Sequence, residues 1–502
     1  MNVNPITRLD YPDPDVIRVE DTYYMVSTTM HFMPGCEILQ SFDLVHWEHV
    51  TYVYETLDHT DAQQLKSGQN IYGQGMWAAS LRYHEGRFYI CFVANDTRKT
   101  YLYTSEKIDG PWKKQLIEGF YHDGSLLFDE DGRNYIVYGN DEIWITELNE
   151  DLTAPKKDGL HRLLVSDHKN PELGYEGSHI QKINGYYYIF LIHSLRDRWM
   201  RTEACFYSDS LEGEFTGGDV LCDDRGYCGQ GVAQGGIVDT PDGKWYAMLF
   251  QDSGAVGRIP ILLPVTWKDH FPFFGQNGHV PEEIEVHSTR PGYIYQPLVG
   301  SDDFCNGLLP RWQFNHDPDP RYYHLDALQG TYTITTREVC TELTQAVNTL
   351  TQRMSYPSCA AEVTVDASAL KEGDVAGLCA LQSCYAAVGI TKHHGKYEVL
   401  MLDKKEDGIL DMTEGTVVES HQMDFRLEAD FCNMKDEARC YYRVNKGDWL
   451  PIGTVHKLYF KLDHFTGCRF GLFCYAAEET GGSACFRDFK YYDTTVNEEQ
   501  VK

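Results

Sequence analysis

Apolar and polar residues alternate in short runs along the first 295 residues, and the runs come in pairs joined by turn residues. The clearest pair is Ile180-Gln181-Lys182-Ile183, then Asn184-Gly185, then Tyr186-Tyr187-Tyr188-Ile189-Phe190. A period of two predicts strands, and Asn-Gly supplies the two positive-φ positions of a type I′ hairpin turn. The unit occurs five times. The first copy is Asp15-Val16-Ile17-Arg18-Val19, a turn at Glu20-Asp21, and Tyr23-Tyr24-Met25-Val26. The second joins Ser80-Leu81-Arg82-Tyr83 to Phe88-Tyr89-Ile90 through Glu85-Gly86, and the third joins Leu126-Leu127-Phe128 to Tyr135-Ile136-Val137 through Asp131-Gly132. The hairpin at Asn184-Gly185 is the fourth copy. The fifth joins Gly236-Ile237-Val238-Asp239 to Trp245-Tyr246-Ala247-Met248 through Asp242-Gly243.

Copies recur roughly every 45–65 residues, the size of a four-stranded propeller blade, so five copies predict a five-bladed β-propeller. Innermost strands of a propeller start near the common axis. With the hairpins aligned, Asp13, Trp77, Asp123, Glu176 and Gln234 fall at nearly one offset and are expected to share a pocket. The pattern breaks between residues 291 and 299, where Gly and Pro crowd together, and a linker is expected there. Residues 301–502 carry no copy of the unit. They alternate in runs such as Ala360-Ala361-Glu362-Val363-Thr364-Val365 and Leu458-Tyr459-Phe460-Lys461-Leu462, which predicts a β-sandwich of jelly-roll type. The chain thus reads as all-β, with a propeller over 1–295 and a sandwich over 301–502.

Composition narrows the class of ligand. The net charge of −31 argues against nucleic-acid or anionic-membrane partners and suits a protein handling a neutral ligand. Thirty-four Tyr and nine Trp suit strands and also stacking on sugars. No apolar run approaches membrane-spanning length and no secretory core follows Met1. Fifteen scattered cysteines lack zinc spacing and read as reduced, hence an expected cytoplasmic location.

Glu176, between Tyr175 and Gly177, reads alone as a solvated loop carboxylate or as a proton donor; the fivefold register favours the donor. Trp77 reads as core packing or as a wall of that shared pocket, and the register favours the wall. His31 and Phe32 follow the first hairpin and are expected to line the same subsite. His31 is read as a hydrogen-bonding residue because no second His stands at ligand spacing. Asp15 is read as a turn or capping residue rather than a second base.

Tyr11-Pro12-Asp13-Pro14-Asp15-Val16, His122-Asp123-Gly124-Ser125-Leu126, Glu176-Gly177-Ser178-His179 and Gln234-Gly235-Gly236-Ile237-Val238-Asp239, in this order, make the chain resemble glycoside hydrolase family 43, in its branch of β-xylosidases and α-L-arabinofuranosidases. Residues 343–353 resemble the family's concanavalin-like C-terminal domain. The resemblance implies Asp13 as general base, Asp123 as pKa modulator, Glu176 as general acid and Arg258 as a substrate-binding residue; the alternative for Arg258 is a surface salt bridge. It implies that Ala233 stands where the family often has a His beside an axial calcium. A structural calcium on the axis is thereby left open, with Gln230 or Gln234 as candidate ligands, and no cofactor is expected for the chemistry.

The expected activity is exo-acting, inverting release of xylose or arabinose from xylo- or arabino-oligosaccharides, by a chain that can form a homo-oligomer. An endo-arabinanase and a non-catalytic pentose-polymer binding protein are the alternatives. Inversion needs an ionised base to activate water and a protonated acid for the leaving oxygen. Free Glu titrates near ~4.3, so a neighbouring negative charge and burial must keep the acid protonated.

Overall fold

The structure is a computed structural model that describes residues 2–493. Among these residues there is no α-helix; the only helical elements are four single turns of 3₁₀ helix. Five four-stranded antiparallel sheets follow one another along the chain. Their innermost strands are Asp15–Val19, Ser80–His84, Ser125–Phe128, Glu176–Ile183 and Val232–Asp239, which we number as blades 1 to 5. Each packs against the innermost strand of the next blade, and blade 5 packs back on blade 1, so the ring is closed. The predicted hairpins are the first two strands of each blade, as at Ile183↔Tyr186 and Val19↔Thr22. Alternating side chains enter the layers between blades, where Leu81, Ile90, Phe92 and Tyr101 are wholly buried.

The ring is fastened by the chain's beginning. Asn2–Val3 pairs with Glu283–Ile284, and the Asn4 side chain both donates to the Leu262 carbonyl and accepts its amide. Residues 291–299 form no strand, as expected. They are pinned to blade 1, where Tyr295 accepts the Phe42 amide and Gln296 donates to Glu48.

The C-terminal half is a sandwich of a nine-stranded and a seven-stranded sheet. Trp312, Leu350, Val363, Leu378, Phe425 and Phe470 fill the layer between them. The two halves share structure: the short strand Phe32–Met33, from the blade 1 region, pairs with Gln313–Asn315 and becomes an edge of the nine-stranded sheet.

One expected strand is corrected. Residues 458–462 are irregular, because the strand Leu450–Lys457 ends before them. Leu458 is buried in the sandwich core and Leu462 is exposed, and from here a loop leaves the sandwich and reaches the propeller. The Gly467 amide donates to Asp10 and the Cys468 amide to the Ala255 carbonyl.

Candidate active site

At or just before the start of the innermost strand, four blades carry a residue in left-handed conformation: Asp13 (φ 53°), Asp123 (φ 49°), Gly177 (φ 65°) and Gln234 (φ 61°). Such a conformation is rare outside glycine, tolerated by Asp, and concentrated at functional sites. The equivalent of Asp13 and Asp123 in blade 4 is therefore Gly177, and Glu176 stands one position earlier. A Cβ on Gly177 would come within 2.7 Å of the Gln234 side chain, so glycine serves both the turn and the close approach. The ladder of blade 4 is bulged between Glu176 and His179.

These kinks bring Asp13, Asp123 and Glu176 into one electrostatic neighbourhood. Asp13 is buried and both its oxygens accept: Oδ1 from Arg258 Nη1 at 3.0 Å, Oδ2 from the Thr28 hydroxyl. Asp123 Oδ2 accepts the Gly177 amide at 2.9 Å. Burial raises the Asp123 carboxyl to about 6; His122 opposes this, and the charges of Glu176 and Asp13 reinforce it. Glu176 Oε2 accepts from Asn140 Nδ2 at 2.6 Å, and no hydrogen bond within the described residues uses Oε1. His122 Nε2 lies 3.6 Å from an oxygen of Asp123 and 3.6 Å from Glu176 Oε2. The Asp123 charge raises this imidazole to about 9, against burial and with help from Glu176.

Arg258 opens the third strand of blade 5 and is buried. Its amide donates to Asp10 Oδ1 at 2.8 Å, and its guanidinium lies over the Phe465 ring at 4.2 Å. Phe465 belongs to the sandwich loop. Trp77, half-buried, stands with its ring 5.5 Å from Phe465 and 5.9 Å from His122. Aromatic faces from both halves of the chain thus flank the carboxylates.

The profile of glycosyl hydrolases family 43 matches residues 3–272. The chain belongs to glycoside hydrolase family 43. Residues 301–492 match the beta xylosidase C-terminal concanavalin A-like domain. A beta-xylosidase of Formosa agariphila is 26% identical over 541 residues, covering 96% of this chain and 88% of that protein. A non-reducing end alpha-L-arabinofuranosidase of Bacteroides ovatus is 24% identical over 437 residues, covering 82% and 79%. A solved bifunctional GH43-CE protein of Bacteroides eggerthii superposes with a TM-score of 0.92 at 42% identity over 98% of this chain. The chain spans 64% of the length of that protein.

The axis of the family 43 propeller is occupied by side chains that link blades across it. Arg82 donates through Nε to the Leu126 carbonyl, through Nη1 to Asp15 and the Leu81 carbonyl, and through Nη2 to Ser125 Oγ and the Ile180 carbonyl. His179 Nδ1 lies 3.0 Å from the other Asp15 oxygen. Asp15 is therefore a buried ion-pair hub, a correction to its reading as a turn residue. Burial alone would raise its carboxyl, but Arg82 and His179 hold it below the usual range. Calcium needs six to eight oxygen ligands, and these axial oxygens are already taken by one guanidinium. The donor set does not fit an axial calcium. Gln234 packs on Gly177 and its backbone amide donates to the buried Glu203 at 2.7 Å, and the Gln230 side-chain amide turns to the Cys228 carbonyl. His122, Asp123 and Glu176 do offer donor atoms within 4.8 Å of one another.

His31 and Phe32 are placed elsewhere than expected. Both are enclosed at the seam between propeller and sandwich. The His31 ring lies 4.9 Å from His316 and 5.6 Å from His464, and its nitrogens make no hydrogen bond of ordinary geometry. Phe32 lies under the Arg469 guanidinium at 3.5 Å. They pack the seam and do not form an exposed pocket wall; their apolar neighbours come from residues that sequence distance hides.

Sequence reasoning singled out neither His122, Asn140 nor Phe465. His122 adjoins Asp123 and was open to inspection. Asn140 and Phe465 carry no local signal, because their roles exist only through contacts with distant strands.

Proposed function

We propose that this family 43 enzyme removes single pentose units, xylose or arabinofuranose, from the ends of xylo- or arabino-oligosaccharides, with inversion. Asp13 is the general base, Glu176 the general acid and Asp123 the modulator of the acid. The observation that carries this reading is the unequal treatment of the carboxylates within one site. Two donors, one of them a guanidinium, hold the two oxygens of Asp13 in place, as a group that activates water requires. Glu176 keeps Oε1 free of other partners and stands beside the buried Asp123, so a proton on it can be given to a leaving oxygen. Arg258 and Trp77 are suited to a sugar hydroxyl and a sugar face. The names borne by the Formosa and Bacteroides relatives support pentose as the substrate.

Inversion sets the Asp13 and Glu176 carboxyls about 6.5–9.5 Å apart, with room for the water. The test uses aryl and alkyl pentosides with wild type, Asp13→Ala and Glu176→Ala. Each variant is expected to lose about 10²–10⁴-fold on alkyl substrates. Glu176→Ala should be spared on a nitrophenyl leaving group, which needs little protonation. Equal loss on both substrate types removes Glu176 from the acid role, and oligomeric products from a polymer would replace the exo reading with an endo one.

A further inference from the structure

We propose that His122 is a positioning residue for the acid: a cation set between Asp123 and Glu176 that keeps Asp123 ionised and opposes its effect on Glu176. The proposal rests on the reading of Glu176 as the acid. Its geometry is specific. Nε2 lies 3.6 Å from a carboxylate oxygen of each partner, is buried, and has no hydrogen-bond partner of its own. At 3.6 Å from an oxygen of each carboxyl, Nε2 is set to act on both by charge rather than by one close hydrogen bond. As an imidazolium it faces a charge on either side, and the raised proton affinity of His122 agrees with this.

The groups around it come from four blades. Asp123 adjoins it at the entry to blade 3, Glu176 opens the blade 4 strand, and the Asp13 charge reaches it from blade 1. Trp77, at the entry to blade 2, and Asn140, on the second strand of blade 3, are neutral. Arg258 stands beyond Asp13 and is bonded to it. With the acid protonated, the charges cancel in two pairs: Asp13 with Arg258, and Asp123 with His122. Without His122, Asp123 and Glu176 would compete for one proton, and two such carboxyls titrate as a pair. A charged His122 assigns that proton. It keeps Asp123 an anion able to hold the Gly177 amide, and it leaves Glu176 a readier proton donor than Asp123 alone would make it.

The test is the pH dependence of kcat/KM for wild type, His122→Gln, Asp123→Asn and the double variant. Asp123→Asn should move the alkaline limb to lower pH. His122→Gln removes a positive neighbour and should move it to higher pH, by about one to three units. The double variant should fall between the two. The acid limb should move less, since Arg258 bonds Asp13 directly. His122→Lys, which keeps the charge, should restore a limb near that of wild type. If Asp123→Asn lowers the limb and His122→Gln leaves it unmoved or lowers it, the role of His122 is overturned while the acid assignment stands. If both leave it unmoved, the acid assignment itself fails, and this proposal with it. Thermal unfolding identifies a misfolded variant, in which case His122→Asn carries the same expectations.

Discussion

The Arg258 guanidinium lies over the ring of Phe465 at 4.2 Å, and its Nη2 reaches the Phe465 carbonyl at 3.4 Å. One residue belongs to blade 5 of the propeller and the other to a loop of the sandwich. The Arg258 amide and the Gly467 amide, two residues beyond Phe465, both donate to Asp10, one to each oxygen. A single buried carboxylate therefore sets the height of the arginine and of the loop that covers it. The C-terminal half is part of the site.

Phe465→Ala is accordingly expected to weaken the site without touching its carboxylates. Cation–π contacts contribute about 0.5–2 kcal/mol according to their exposure. Steady-state kinetics should show kcat/KM falling by about 2- to 30-fold, with the pH profile unmoved. A loss as large as that of Asp13→Ala, or a shifted profile, would mean that the loop does more than cover Arg258.

The seam between the halves also holds an ion pair. Arg353 of the sandwich lies 2.8 Å from Glu37 of blade 1, both almost fully buried, with Arg353 Nε donating to the Asp10 carbonyl. Burial would raise Glu37, yet Arg353 and His49 bring it down to about 2. Removing one partner of a buried pair costs about 3–5 kcal/mol, because the other charge is left uncompensated. Arg353→Met should lose that much in chemical denaturation, and adding Glu37→Gln should recover part of it. No recovery would mean that the loss comes from packing on Tyr11, over which the guanidinium also lies.

How much of this was legible depends on the range of the contacts. The propeller was readable because each blade announces itself within a few residues, through alternation and a turn such as Asn184-Gly185. The positions of Asp13, Asp123 and Glu176 followed from that register, with Gly177 as the one-residue offset that only the backbone reveals. The seam was not readable. Phe32 pairs with Asn315, and His31 meets His316 and His464, across separations that no local pattern encodes. The run 458–462 alternates but forms no strand: Leu458 closes the sandwich core and Leu462 is exposed at the start of the loop.

Those three histidines predict an acid limit to stability. Burial lowers all three: His464 to about 3, and His31 and His316 well below the usual value, where neighbouring histidines add to the effect. A group whose folded pKa is depressed binds more protons when unfolded. Its stability is therefore present above the unfolded value, near ~6.5, and is lost as pH falls below it. Each histidine should contribute up to about 1.4 kcal/mol per pH unit in that window. The His464 ring stacks on Tyr72 at 3.9 Å; denaturation midpoints should fall between pH 6.5 and pH 4, and His464→Phe, which keeps a ring there, should flatten the fall. An unchanged slope in that variant would assign the acid limit to carboxylates instead.

The axis gives the last expectation. An arginine has five N–H donors, and Arg82 makes five hydrogen bonds that reach blades 1, 3 and 4 as well as its own strand. Lysine offers three donors from one point and cannot span this set. Both Arg82→Lys and Arg82→Met should therefore destabilise the ring, the methionine by about 3 kcal/mol or more, since Asp15 stays buried with its guanidinium partner gone and only His179 and the Leu81 amide left to bond it. The carboxylates above the axis hang on the strands that Arg82 ties together, so activity should fall along with the melting temperature. Because the axial oxygens are taken by the guanidinium, treatment of the wild type with a chelator should leave both its melting temperature and its activity unchanged. A melting temperature that drops on chelation and returns with calcium would show that a cation site exists which these residues do not form.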